Sequence, residues 1–342
     1  MGMRRLAIAA ALLLLSVDCA TAVARPDPVG VPPGYAAAER GVAQQGRAAV
    51  ELLRAGDAEA LHARFAPELA AEVQLETLRT LLADTLATAP IASRVAEGRL
   101  PVDRGLRIYA ADHRWGDDVL DIDVVFDGRG AIASLRFAPR EPLPPDPAAG
   151  RRVDLRLPLE GRWWVYWGGP DELRNYHVVA PDQRHAIDFV RWERGGTASG
   201  QGVHNRDYAA WDRRVVAPAD GVVVAARDGV RDNRPRVEVE NADDPAGNHV
   251  LLDVGDGAYA LLGHLRSGSV RVRPGDRVRA GQVLARVGNS GNSSEPHLHF
   301  HVQDSATPLS GIGLPARFRD VLVDGRWRRT AAALQGSFIE PR

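Results

Sequence analysis

The segment from Val287 to Val302 constrains the fold of this chain more than any other stretch. A glycine- and serine-rich turn leads into a run in which His297, His299 and His301 alternate with apolar residues. This period of two predicts a half-buried strand with the three imidazole rings on one face and the apolar side chains on the other. Buried ring nitrogens need partners, and imidazole is the commonest metal ligand in proteins. The strand therefore predicts a metal site.

The composition is that of a globular protein of about two domains. The chain has 342 residues, of which 45% are hydrophobic and 25% are charged, and its net charge is -1. This balance gives no electrostatic reason to expect binding to nucleic acid or to an anionic membrane surface. All 43 basic residues are arginine. A cofactor that must be attached to a lysine amine is therefore excluded.

Residues 1–24 have the pattern of a secretory signal peptide. Two arginines precede an apolar run from Leu6 to Leu15, and two small-x-small cleavage sites end at Ala22 and Ala24. The apolar run is too short for a membrane span, so we expect an exported, periplasmic or extracellular protein with no span in its mature chain. The only cysteine, Cys19, lies in this segment. Cleavage leaves histidine and carboxylate as the available zinc ligands.

Residues 25–139 are predicted to form an α+β domain, because helical patterning precedes strand patterning. The predicted helices are Tyr35–Arg54, Ala58–Phe65 and Leu75–Leu86, and the predicted strands are Leu106–Tyr109, Val119–Phe126 and Ile132–Phe137. The pattern resembles the small cystatin- or NTF2-like domains found ahead of secreted bacterial enzymes. Its two histidines, His62 and His113, have no ligand-type residue at suitable spacing. We expect this domain to position the second domain or to bind a protein partner.

Residues 140–152 are predicted to form a linker, because four prolines fall among the eight residues from Arg140 to Pro147. From Val153 to the C-terminus, strand-like segments alternate with glycine-containing turns. This pattern predicts an all-β, mainly antiparallel domain over residues 153–342, built as a sandwich or a twisted sheet.

Ligand-type residues of this second domain occur in four motifs. They are Asn175-Tyr-His177, Arg184-His-Ala-Ile-Asp188, Gly263-His-Leu265 and Pro296-His-Leu-His-Phe-His301, with a Pro-Gly-Asp-x-Val element between the third and the fourth. In this order they resemble the catalytic domain of the lysostaphin-type (LytM-like) zinc metallopeptidases. Members of that family cleave peptide bonds in the stems and cross-bridges of bacterial peptidoglycan. The resemblance implies a zinc endopeptidase with a peptidoglycan peptide as its substrate.

The resemblance also implies roles for four residues. Asp188 and His299 correspond to zinc ligands, whereas His264 and His297 line the site as catalytic residues without binding the metal. We expect His297 to orient or deprotonate the zinc-bound water and His264 to donate a hydrogen bond to the developing oxyanion. His301 stands where an acidic residue is more usual, and we expect it at the edge of the site without a catalytic role.

The third zinc ligand is either His177 or His185. The family places a histidine four residues before the aspartate, but that position is Arg184 here, and arginine cannot bind zinc. His185 lies three residues before Asp188, and in a regular strand an odd offset puts two side chains on opposite faces. His177 can fold back across a turn-like stretch, and its Asn-Tyr-His motif looks like that of a subgroup in which this histidine is the ligand. We therefore expect His177 to be the ligand.

Two other classes of function compete with this interpretation. Biotinyl and lipoyl carrier domains share the glycine-rich strand pattern, but they attach their cofactor to a lysine, which this chain lacks. Non-catalytic members of the peptidase fold bind the cell wall or activate another hydrolase, and such relatives lose zinc ligands. Here Asp188, His264, His297 and His299 are all present, which favours an enzyme.

Overall fold

The computed structural model describes residues 35–101, 107–140, 143–237 and 244–342. The predicted signal peptide and the arm that follows it lie outside the described residues. The described chain falls into two compact units, and the second begins at Leu143. No helix among the described residues is long and apolar enough to cross a membrane.

The first unit consists of four helices followed by a four-stranded antiparallel sheet with the strand order β1-β2-β3-β4. The helices are α1 (Tyr35–Ala55), α2 (Ala58–His62), α3 (Pro67–Glu72) and α4 (Leu75–Thr88), and the strands are β1 (Ile91–Pro101), β2 (Arg107–Trp115), β3 (Asp118–Phe126) and β4 (Ile132–Pro139). The predicted order of helices and then antiparallel strands is confirmed. The finer assignment to a cystatin- or NTF2-like domain stays a prediction.

Local sequence explains how the helices of this unit end and pack. Gly56 adopts a positive φ of 68° at the end of α1, as a residue after a helix C-terminus often does. The side chain of Asp57 then accepts a hydrogen bond from Ala60 N at 2.9 Å and caps α2. A Cβ atom at Gly46 would lie 2.0 Å from the ring of Tyr109, so a glycine is required where α1 contacts the sheet.

The second unit is mainly β and mainly antiparallel, as predicted. Its first nine strands are β5 (Val153–Leu155), β6 (Trp163–Trp167), β7 (Ile187–Val190), β8 (Arg214–Val216), β9 (Gly221–Arg227), β10 (Asn248–Gly255), β11 (Ala258–Leu265), β12 (Arg277–Val278) and β13 (Val283–Arg286). The others are β14 (Leu298–Gln303), β15 (Gly313–Leu314), β16 (Ala316–Val323), β17 (Arg326–Ala331) and β18 (Phe338–Pro341).

Most of these strands form one 12-stranded sheet that holds β14 near its middle. The order is β12-β9-β10-β11-β14-β7-β6-β18-β16-β17, with β15 paired to β14 and with β5 paired in parallel to β16. Strands β13 and β8 form a separate pair. Leu298, Phe300 and Val302 of β14 are fully buried in the core of the unit. Their alternation with the histidines fixes which face of the sheet carries the polar residues.

The proline-rich segment predicted to be a linker contributes to the second unit. Ala148 is fully buried in the core of that unit. Asp146 accepts a hydrogen bond from Nε2 of His185 at 3.1 Å. The residues from Leu143 onward therefore pack as part of the second unit, although their prolines prevent regular helix or sheet.

Candidate metal centre

The pairing of two neighbouring strands, β14 and β7, positions two residues of the centre. In the antiparallel register of β14 and β7, His299 lies directly opposite Asp188. Residues opposite each other in such a pair have side chains on the same face. The ring nitrogen Nδ1 of His299 accordingly lies 3.0 Å from Oδ1 of Asp188. Both side chains are buried.

His177 reaches the same carboxylate from a short 3-10 helix, Tyr176–Val179. Its Nε2 lies 3.6 Å from Oδ2 of Asp188. The N-cap residue Asn175 holds the ring, because its Oδ1 accepts a hydrogen bond from Nδ1 of His177 at 2.8 Å. The Nδ2 of Asn175 donates to the backbone oxygens of Gly169, Arg184 and Ala186. This fixes the amide orientation and leaves Nε2 of His177 unprotonated in the neutral ring.

Asn175 was not identified as a functional residue from the sequence. Its place in the Asn-Tyr-His motif is the signal that could have identified it, since asparagine is a preferred N-cap residue. Here the same side chain caps the 3-10 helix and orients a candidate ligand. It is fully buried, and its amide bridges the helix to the segment before β7.

The electrostatics of the centre favour a bound cation. Burial disfavours the charged form of Asp188 and alone would raise its pKa. The interactions with the rings of His177, His297 and His299 are together stronger than this effect, and they hold the pKa of the carboxyl below its ordinary value. Burial also lowers the pKa of His177 to about 4, although the nearby carboxylate of Asp188 acts to raise it. At neutral pH the centre therefore contains a buried carboxylate beside a neutral imidazole. A buried negative charge of this kind is stabilised by a metal ion.

His297 lies beside these three residues at the start of β14. Its Nδ1 donates a hydrogen bond to the backbone oxygen of Glu295 at 2.8 Å. Its Nε2 then carries a lone pair in the neutral ring and lies 3.7 Å from Oδ1 of Asp188. The ring is positioned further by Ser293, whose hydroxyl lies 3.2 Å from Nδ1. Ser293 is itself buried within this turn.

His264 enters the centre from a bulge at the end of β11. The register between β10 and β11 shifts from Val250 opposite Leu262 to Asn248 opposite Leu265, so two residues of β11 face one of β10. Within this bulge His264 has a φ of 55°, which is uncommon for a residue other than glycine. The bulge turns its ring towards His297, with the two ring centroids 4.7 Å apart.

The hydrogen bonding of His264 differs from the expectation that it donates to an oxyanion. Its Nδ1 donates to the backbone oxygen of Ser290 at 2.7 Å. Burial lowers the pKa of His264 well below its ordinary value, so the ring is neutral. In a neutral ring with the proton on Nδ1, Nε2 is an acceptor. His264 can therefore accept a proton at Nε2, and it can donate from that atom only after doing so.

The structure places His185 away from Asp188. Its Nε2 bonds to Asp146 rather than to the centre, and burial lowers its pKa. His185 lies in the turn before β7, whereas Asp188 lies within that strand. Of the two candidate ligands, His177 is the one that lies beside Asp188.

His301 was expected at the edge of the site, and this expectation is wrong. Its side chain is fully buried. The ring lies between His299 and Gln303, and burial lowers its pKa to about 3. The loop that follows β14 returns to this face, because Gln303 beside His301 bonds to the backbone of Ser305, Thr307 and Leu309.

Within the part of the chain that the structure describes, one group of residues has the geometry to hold a metal ion. Ligand atoms from His177, Asp188 and His299 all lie within 4.8 Å of one another, and all three residues are buried. Two imidazoles and one carboxylate, together with a water molecule, form a donor set typical of catalytic zinc sites. The residues present therefore fit zinc.

Comparison with known proteins agrees with this description. Residues 204–310 match the model of peptidase family M23. The match includes His264, His297 and His299, whereas His177 and Asp188 precede it. The structure brings these two residues to the matched histidines.

Solved structures of similar proteins include peptidases from three bacteria. A mutant of the catalytic domain of the prophage-encoded M23 protein EnpA from Enterococcus faecalis is 20% identical, covers 45% of this chain and 88% of its own, and has a TM-score of 0.28. The catalytic domain of the antimicrobial peptidase lysostaphin from Staphylococcus simulans is 20% identical, with coverages of 42% and 80% and a TM-score of 0.25. A zinc-containing peptidase from Vibrio cholerae is 17% identical, with coverages of 58% and 53% and a TM-score of 0.24. The similarity to peptidase family M23 thus covers residues 204–310, within the second unit.

Proposed function

We propose that the protein is a secreted zinc metalloendopeptidase that hydrolyses peptide bonds in the stems or cross-bridges of peptidoglycan. One observation carries the proposal. Ring nitrogens of His177 and His299 face the two oxygens of the buried Asp188 carboxylate, and the Nε2 atom of His297 lies beside them. Donors in this arrangement can hold a metal and still leave a proton acceptor next to it.

Zinc held by His177, Asp188 and His299 would polarise the substrate carbonyl and lower the pKa of a water molecule. The protein itself supplies the proton transfers. His297 is held with Nδ1 as donor to Glu295, so its Nε2 is free to accept a proton from the attacking water. The protonated ring then returns this proton to the departing amine nitrogen as the peptide bond breaks.

His264 provides a second proton acceptor beside His297. Its Nδ1–H donates to the backbone oxygen of Ser290. The Nε2 atom of His264 therefore has an available lone pair, as the Nε2 atom of His297 does. The two rings are in contact, so a proton taken by one is electrostatically disfavoured on the other. This arrangement favours one protonated imidazole at a time during turnover, and that imidazole can donate to the oxyanion or to the leaving group.

The substrate and the location of the protein rest on sequence. The four motifs resemble those of enzymes that cleave peptidoglycan peptides, and residues 1–24 have the pattern of a signal peptide. We propose that the mature protein acts outside the cytoplasm, where its substrate lies. The first unit carries no comparable group of ligand-type residues among those described, and we propose that it contacts a protein partner or positions the second unit.

The proposal is tested with the purified mature chain and purified peptidoglycan. New free amino groups should appear with the native metal, cease after chelation with metal loss confirmed, and return on addition of zinc. Undiminished hydrolysis by metal-free protein would contradict the proposal. Retention of one zinc with binding to peptidoglycan, but with no new amino groups, would identify a non-catalytic cell-wall-binding member of the family instead.

A further inference from the structure

Three polar residues follow one another on the same face of β14. His299, His301 and Gln303 occupy alternate positions, and all three side chains are buried. Their side chains form a continuous series of hydrogen bonds. Nε2 of His299 lies 2.9 Å from Nδ1 of His301, and Nε2 of His301 lies 3.0 Å from Oε1 of Gln303. Because each ring has two nitrogens and the neutral ring has one proton, such a series can fix where every proton lies.

The direction of the series is set at Gln303. Its Nε2 donates both hydrogens to backbone oxygens, those of Ser305 and Thr307, each at 2.6 Å. Its Oε1 also accepts a hydrogen bond from the backbone nitrogen of Leu309 at 3.1 Å. The amide therefore cannot be reversed without losing all three bonds. Oε1 is an acceptor, and the nitrogen that faces it, Nε2 of His301, must be the donor.

The proton position on His301 determines that on His299. A buried neutral His301 has its single proton on Nε2, so its Nδ1 is an acceptor. The atom facing it, Nε2 of His299, must then be a donor. In the neutral ring of His299, this leaves Nδ1 with a lone pair directed at Oδ1 of Asp188, 3.0 Å away. A lone pair and a carboxylate oxygen at this distance repel each other unless a cation binds both.

The other tautomer of His299 would not be able to bind a metal at this position. With its proton on Nδ1, the ring would donate to Asp188 and close the centre with an internal hydrogen bond. In this protein that tautomer would also leave two lone pairs, on Nε2 of His299 and Nδ1 of His301, facing each other at 2.9 Å. Buried acceptors without donors are unfavourable, so the series disfavours the tautomer that cannot bind metal.

We propose that His301 and Gln303 are positioning residues that hold the proton of His299 on Nε2 and so keep Nδ1 available as a metal ligand. This inference rests on the proposed function, because it assigns a task in zinc binding. It also extends the centre through Gln303 to the loop of residues 304–312, whose backbone orients the glutamine amide. Hydrogen-bonded partners of metal-binding histidines commonly change metal affinity by about 10–100-fold when replaced.

The first test is the zinc dissociation constant of the full chain, measured by competition with a chromophoric chelator. His301→Phe keeps an aromatic ring but removes the acceptor, and we expect it to weaken zinc binding by about 10–100-fold. His301→Gln should restore affinity to near the wild-type value. Its amide oxygen can accept from Nε2 of His299, and its amide nitrogen can donate to Oε1 of Gln303. A residue that served only to fill the core would show the opposite order, because phenylalanine is closer to histidine in shape.

A second variant and a direct measurement do not depend on how His301→Phe folds. Gln303→Leu leaves His301 in place but removes its acceptor, and it should weaken zinc binding in the same direction. Nitrogen-15 NMR of the zinc-loaded wild-type chain should show the proton of His299 on Nε2 and the metal on Nδ1. The reverse assignment, or wild-type zinc affinity in both His301→Phe and Gln303→Leu, would overturn this inference alone. Failure of the wild-type chain to bind zinc would overturn the proposed function and this inference together.

Discussion

At the scale of single residues, the centre is determined by where each imidazole holds its proton. Asn175, Glu295 and Ser290 each offer an oxygen to an Nδ1 atom, and they thereby leave the Nε2 lone pairs of His177, His297 and His264 available. In His299 the order is reversed, because His301 accepts from Nε2. The two candidate metal ligands thus present different ring nitrogens to Asp188, Nε2 in His177 and Nδ1 in His299.

Substitutions of the proposed proton acceptors and of the proposed metal ligands should have separate outcomes. His264→Ala and His297→Ala should keep one zinc per chain and lower the rate of peptide hydrolysis by about 10²-fold or more, as expected for loss of an acid–base partner. Asp188→Ala and His299→Ala should lose zinc instead. Metal content and hydrolysis rate are measured on the same preparations. If His297→Ala loses zinc as completely as His299→Ala, the assignment of these two rings is reversed.

Much of the residue-level account was predictable from sequence, and part of it was not. Asp188, His264, His297 and His299 were selected because their motifs occur in a characteristic order. The oxygens that accept hydrogen bonds from the ring nitrogens could not be predicted, since two of them are backbone oxygens whose positions depend on the fold. Gln303 could have been selected from the sequence, because it continues the period-two alternation of β14 by one step.

At the scale of structural elements, the turn that precedes β14 holds two sides of the centre. Its residues supply the backbone oxygen that orients His264 and lead directly to His297. Gly291 in this turn has a φ of 76°, and a Cβ atom there would lie 2.3 Å from the backbone nitrogen of Gly247. The turn therefore packs against the segment before β10 so closely that a side chain cannot be accommodated.

Replacing this glycine tests the importance of the turn. Gly291→Ala combines an unfavourable positive φ with a backbone clash, so it should destabilise the second unit and reduce zinc retention. Gly281→Ala is the matched control, because Gly281 also has a positive φ, 84°, but a Cβ atom there would meet no other atom within 4 Å. The control should lose only about 1–2 kcal/mol, the cost of the backbone conformation. Equal unfolding free energies for the two variants, measured by denaturant titration, would contradict the role given to the turn.

Elements with strong periodicity were predictable, and elements shaped by their neighbours were not. Strand β3 was predicted because its apolar residues alternate, whereas β1 was missed because Ala, Ser, Arg and Gly interrupt any period in its sequence. Helix α3 was missed because it has only six residues and no side-chain cap. The bulge at His264 depends on the register between β10 and β11, which sequence spacing does not define.

At the scale of the whole molecule, the two units contain different kinds of buried polar group. In the second unit, buried His177 and His299 lie beside the carboxylate of Asp188 and can bind a metal with it. In the first unit, Asp112 and Asp121 share the guanidinium of Arg140, at 2.5 Å and 2.9 Å. Burial raises the pKa of Asp121 to about 7. The guanidinium of Arg140 opposes this rise, and the carboxylate of Asp112 adds to it. This arrangement affects stability rather than chemistry.

The raised pKa gives the first unit a defined pH dependence. Folded Asp121 keeps a proton up to about pH 7, whereas the unfolded residue loses it near pH 4. The stabilisation from this proton is therefore full below about pH 4 and is lost as the pH rises towards 7. Asp121→Asn should gain stability relative to the wild type over this interval, by about 1–3 kcal/mol. Hydrogen exchange of the amides in β2 and β3 measures the change, and a difference independent of pH would contradict it.

The most direct test of the whole account is the zinc content of two variants purified side by side. His177 and His185 were equally available as ligands by residue type, and only the fold places His177 beside Asp188 and pairs His185 with Asp146. The wild type and His185→Ala should each retain one zinc per chain after dialysis, and His177→Ala should retain almost none. Full zinc in His177→Ala and none in His185→Ala would contradict the centre described for this protein.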